Sequence, residues 1–145
     1  MQSMRFETSD EGNAAVAKHK ISWKRVSTQF SYLADYWQDI TKTYLKEVLT
    51  ISQNDESPLT LTGKCLDKDF TIKLASTMVG SQLMGKVITL TSDPVTGENR
   101  QAWSFILSPE GNVLNVAGEI LMSTGDHEAL NYRLTCAMIE AIAAA

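Results

Sequence analysis

The sequence predicts an α+β fold: an antiparallel β-meander of about five strands, packed on one face by a long N-terminal helix and a C-terminal helix. Three observations lead there. Apolar and aromatic residues recur at steps of three and four through residues 22–49, period-two alternation recurs between residues 59 and 116, and a second helical stripe closes the chain. With 145 residues, 43% of them hydrophobic, the chain has the commonest size of a single domain and can bury a core without disulfide or metal.

Residues 1–17 are expected to be a flexible tail, because "FETSDEGN" is polar and lacks any apolar period; residues 18–145 form the domain. The first helix is expected to begin near Ser22, a good N-cap, and to continue to Ile51, where "SQNDESP" stops it. Its stripe comprises Trp23, Val26, Phe30, Leu33, Trp37, Ile40 and Tyr44. The flanking positions Ser27, Ala34, Thr41, Gln29, Tyr36 and Thr43 carry no charge, which disfavours a free coiled coil and suits a helix lying across a sheet. Such a helix measures about 43 Å at 1.5 Å per residue. A domain of this size is only about 38 Å across. Either the helix breaks and is buried, kinked, in a monomer, or its overhang is covered; a second copy of the chain is the simplest cover, so a homodimer is expected.

Strand signals follow in order. "LTLTGKCL" sets Leu59, Leu61, Gly63 and Cys65 against Thr and Lys, and "DKD" turns it into "FTIKLA", with Phe70, Ile72 and Leu74 on one side. "KVITLT" is expected to place Ile88 and Leu90 inward and Thr89 and Thr91 outward. "AWSFIL" offers Trp103, Phe105 and Leu107, and "NVLNVA" offers Leu114 and Val116. "SDPVTGEN" and "SPEGN" have hairpin turn chemistry, and no helix-length crossover intervenes. The opposite face, with Thr60, Thr62, Lys64, Thr71 and Lys73, is expected to meet water. The last helix is expected to start near Asp126, with Leu130, Leu134, Ala137, Met138, Ala141 and Ile142 on its stripe.

Charge and motifs bound the function. A net charge of −4 gives no global attraction to nucleic acid, which is not an expected partner, nor to a membrane surface. No run is long enough to span a bilayer. The two cysteines, Cys65 and Cys136, are far apart among apolar neighbours and are expected to be buried free thiols in a reducing, cytoplasmic setting. No phosphate loop, dinucleotide fingerprint or zinc motif occurs, so no catalytic, cofactor-binding or metal residue is assigned. "GDHEAL" groups Asp126, His127 and Glu128, but neighbours on a helix diverge and the group reads as a cap. Gly80-Ser81 lacks the nucleophile-elbow pattern, and nothing local brings Cys65 to His127.

Two features stand out. Lys18, Lys20, Lys24 and Arg25 bracket Trp23 at the expected helix start, where cations oppose the helix dipole. They are candidate anion contacts, weighed against a solvated patch balanced by Asp10 and Glu11. "ASTMVGSQLMGK" is expected to be a Met-bearing loop that either closes the open end of the sandwich or meets a partner.

The reading that follows is a non-enzymatic protein-binding molecule of adaptor, chaperone-like or immunity-like type. Its candidate partner or ligand contacts are Tyr32, Tyr36, Trp37, Met78, Met84 and Trp103. The competing reading is a small-molecule binder or enzyme with an apolar pocket between helices and sheet, lined by Trp37, Tyr44, Trp103 and Phe105.

Overall fold

A computed structural model describes residues 6–122 and 127–145, the side chains of residues 122 and 127–130 apart. The order is α1 (Ser9–Thr43), β1 (Leu49–Gln53), β2 (Thr60–Cys65), β3 (Lys68–Val79), β4 (Gln82–Ser92), β5 (Asn99–Leu107), β6 (Val113–Leu114), β7 (Ile120–Met122) and α2 (His127–Ala144). The seven strands form one antiparallel sheet in sequence order, an α+β meander with both helices on one face. The expected residue Asp126 lies outside the described residues.

α1 starts well before Ser22. Thr8 is its N-cap: Thr8 Oγ1 accepts from Glu11 N–H at 3.1 Å, while Glu11 Oε2 accepts from Glu7 N–H at 3.1 Å. Thr8 and Glu11 have capping-box spacing, and Asp10 and Glu11 suit the positive end of the helix dipole. Residues 9–17 are therefore helical, and the basic cluster sits mid-helix with no dipole to oppose.

α1 also ends before Ile51. After Tyr44 the chain turns, with Leu49 N–H on Leu45 C=O at 2.8 Å, and residues 49–53 become the edge strand β1. Period two is written there: Leu49, Ile51 and Gln53 alternate with Thr50 and Ser52, in register with Cys65, Gly63 and Leu61 of β2. With β7, this accounts for the two strands beyond the expected five.

The α1 stripe is buried as its spacing demands. Val26, Phe30, Leu33, Ala34, Trp37, Ile40 and Thr41 are buried, with Trp23 half-buried. Leu134, Thr135, Met138 and Ile142 bring α2 onto the same core. Cys136 falls off that stripe and is exposed, contrary to the expected burial; Cys65 is buried. Lys68 Nζ donates to main-chain oxygens of Ile142, Ala143 and Ala145, capping the negative end of α2.

β4 corrects the expected facing. Phe70 pairs with Thr91, Ile72 with Thr89 and Leu74 with Val87, so odd-numbered β4 residues face the helices. Thr89 and Thr91 are buried in the core, and Ile88 and Leu90 are half-buried on the other face. "KVITLT" carries an apolar residue in both phases; pairing with β3 fixes which one is inward. The expected Met-bearing loop is the β3–β4 hairpin itself, closed by Gly80-Ser81 with Gly80 at φ +63. Val116 is in the β6–β7 turn, exposed.

Two glycines set distances. A Cβ on Gly85 would lie 2.5 Å from Val26 Cγ1 and 2.6 Å from Leu74 Cδ1, so this glycine lets α1 sit close on β4. A Cβ on Gly63 would lie 1.8 Å from the Thr50 carbonyl oxygen, and the Phe70 ring opposite covers the bare backbone. Gly85→Ala is expected to cost about 1–3 kcal/mol in urea unfolding. Gly63→Ala, which meets main chain rather than side-chain methyls, is expected to cost more.

The β4–β5 loop is organised by Asp93. Its Oδ1 accepts from Val95 N–H at 2.8 Å and Thr96 N–H at 3.2 Å, and its other oxygen is paired with Arg100. These donors, the two backbone N–H groups first, hold the Asp93 carboxyl below the usual carboxylate range. The stability this contributes is present above that range and is lost as pH falls through the depressed value. Asp93→Asn is therefore expected to lower the melting temperature at neutral pH, with the two proteins converging in acid; a melting series against pH checks this.

Candidate functional site: a tyrosine-lined groove between the helices

Where the C-terminal end of α1 passes α2, the surface opens into a groove of about 620 Å³. α1 supplies Tyr36, Asp39, Ile40 and Thr43, at the i, i+3, i+4, i+7 spacing of one helix face, and Tyr44 follows as the C-cap. Tyr132 projects from α2. Tyr44 is 81% exposed and Tyr132 43%, whereas Tyr36 is half-buried against the core. Each ring is apolar over most of its area and carries one hydroxyl, which lets it cover a partner and still accept or donate a hydrogen bond. Asp39 puts a carboxylate on the rim.

Beside Tyr36 in sequence, Trp37 is fully buried, and its indole N–H donates to Thr135 Oγ1 at 3.0 Å, tying α1 to α2. Thr135 Oγ1 in turn donates to Asn131 C=O at 2.7 Å. Among the described residues no buried side-chain nitrogen or oxygen lacks a partner.

The sequence-derived contacts scatter over the molecule. Tyr36 lines the groove. Tyr32 is 63% exposed on the outer side of α1, beside the Pro109–Glu110 turn. Trp37 is core, and Trp103 is half-buried with its ring centroid 5.1 Å from that of Phe105. Met78 is 44% exposed near the tip of the β3–β4 hairpin. Met84 is buried with Ile106 and Leu114 on the face away from the helices, where Val79 covers them. The pocket expected between helices and sheet is filled: Trp37 and Phe105 are closed inside the core, and Tyr44 stands outside it. Lys18, Lys20, Lys24 and Arg25 make no salt bridge among the described residues.

No family model, curated protein or solved structure matches the chain.

Tyr44 and Tyr132 are absent from the sequence-derived contacts. The signal for Tyr44 is its place at the end of a stripe whose other members are buried; Tyr132 has none, since only the crossing of the helices brings it there. Burial pushes the Cys65 thiol up, against a smaller opposing pull from Lys68, so it stays protonated and a poor nucleophile at neutral pH. The His127 side chain lies outside the described residues. Among the described residues no cluster of His, Cys, Asp and Glu is arranged to hold a metal, and no helix is long and apolar enough to cross a membrane.

Groove and core are expected to separate cleanly in mutants. Tyr44→Ala should change unfolding free energy by no more than about 0.5 kcal/mol, the usual range for a surface substitution. Trp37→Ala should cost about 3–5 kcal/mol. Chemical denaturation of both variants measures the contrast.

Proposed function

We propose that the protein is a non-enzymatic binding protein that acts as a homodimer and receives a protein partner in the groove between α1 and α2. The observation that carries the reading is the convergence of Tyr36, Tyr44 and Tyr132 around Ile40, with two rings solvent-exposed, where the Trp37–Thr135 hydrogen bond ties α1 to α2. Tyrosine is enriched at the centres of protein interfaces, where it brings large contact area at small cost in side-chain entropy. The dimer is supported by the length of α1: 35 residues make a rod of about 52 Å, longer than the domain it crosses. An adaptor, chaperone-like or immunity-like role fits a surface with this character, and two free thiols are consistent with a reducing, cytoplasmic compartment.

The test is affinity purification from the native host with three baits: the unaltered chain, Tyr44→Ala/Tyr132→Ala, and Tyr32→Ala. A partner retained by the first and third and lost from the second, with the melting temperatures of all three equal within about 2 °C, supports the groove. Equal recovery by all three baits sinks it.

A further inference from the structure

The N-terminal half of α1 has an inner and an outer side. Gly12, Ala15, His19, Ser22, Trp23 and Val26 form the inner side and are half-buried or buried. The opposite stripe, Asp10, Ala14, Ala17, Ile21, Lys24 and Thr28, is exposed at every position, with Ile21 at 58%. These steps of four and three are those of a helix-packing seam. A groove of about 460 Å³ runs along it, between Ala14, Ala17, Ile21 and Arg25 on α1 and the Pro109–Glu110 turn.

Charge is divided along the same segment. Glu7, Asp10 and Glu11 lie at its start, while Lys18, Lys20, Lys24 and Arg25 lie beyond Ala17. None of those cations has a salt-bridge partner among the described residues. Such a helix is complementary to itself when reversed. With a twofold axis between Ala17 and Lys18, Asp10 comes opposite Arg25 and beside Lys24, and Ala14 faces Ile21, small opposite large. A parallel pairing would set like charge against like.

We infer that the occupant of this stripe is a second copy of the chain, docked through α1 in antiparallel, isologous pairing about the Ala17–Lys18 axis. This rests on the dimer in the reading above and specifies its interface. A twofold interface requires one patch to complement itself, and this one does so in both size and charge. The sheets then lie on opposite sides of the helix pair, and both tyrosine grooves stay open.

Sedimentation equilibrium of the full chain over a concentration series tests it, with D10K/E11K and K24E/R25E as variants. Each variant faces like charge with like in its own dimer and is expected to raise the dissociation constant at least about tenfold. In an equimolar mixture every facing pair is opposite again, so a heterodimer should form with affinity near that of the unaltered chain. Added salt should weaken the unaltered dimer. K24E/R25E leaves the Thr8 cap untouched, so its result stands even where circular dichroism finds the helix of D10K/E11K frayed. A dimer whose dissociation constant neither variant changes, or variants that weaken alone and fail to combine, overturns this interface and leaves dimerisation standing. A monomer at every concentration overturns both.

Discussion

The close seat of α1 on the sheet is the constraint on which the rest of the architecture depends. Val26 comes down where Gly85 has no side chain, and further along the helix Trp37 enters the core whole and finds a hydrogen-bond partner on α2. An indole buried without such a partner carries a desolvation penalty of about 1–3 kcal/mol. Thr135 removes it and fixes the angle at which the helices pass. The tyrosine groove is the outer consequence of that crossing: side chains one step off the buried stripe, Tyr36, Asp39 and Thr43, are left facing α2 across an unfilled gap.

The sheet is less two-sided than its alternation suggests. Its β1–β3 part is clear, with Thr62, Lys64 and Lys73 in solvent and Leu61, Cys65, Phe70, Ile72 and Leu74 under the helices. Toward β7 the far face becomes apolar. Met84, Ile106 and Leu114 are buried there with Val79 packed against them, and a Cβ on Gly118 in the β6–β7 bend would lie 3.6 Å from Val79 Cγ1. Asn115 holds that bend by accepting from Ala117 and Glu119 N–H, both at 3.0 Å.

What could be read from the chain followed the strength of the local pattern. The α1 stripe from Val26 to Ile40 and the inward residues of β2 and of β3 up to Leu74 were legible, because each has one apolar phase only. β4 was not, since Val87 and Ile88 offer two phases and only long-range pairing chooses. Both ends of α1 were obscured: a capping box sits inside a polar run that resembles a tail, and the helical period of Ile40 and Tyr44 runs on by chance into Ile51 of β1. Of the candidate site, Tyr36 was legible and Tyr132 was not, for its position depends on a helix crossing between residues far apart in the chain. Trp37 and Trp103 show the opposite difficulty, since an aromatic side chain suits core and interface alike.

The order of the strands has a consequence for synthesis. Every ladder joins sequence neighbours, so hairpins can zip up one after another as the chain leaves the ribosome, with little loop to close at each step. Trp37 and Thr135, 98 positions apart, are different. Until α2 emerges, the part of the core beneath it, including Phe105, has no lid, and the nascent polypeptide exposes apolar surface late in its translation. The last helix, through Leu134, Met138 and Ile142, is thus the element that closes the core over the meander.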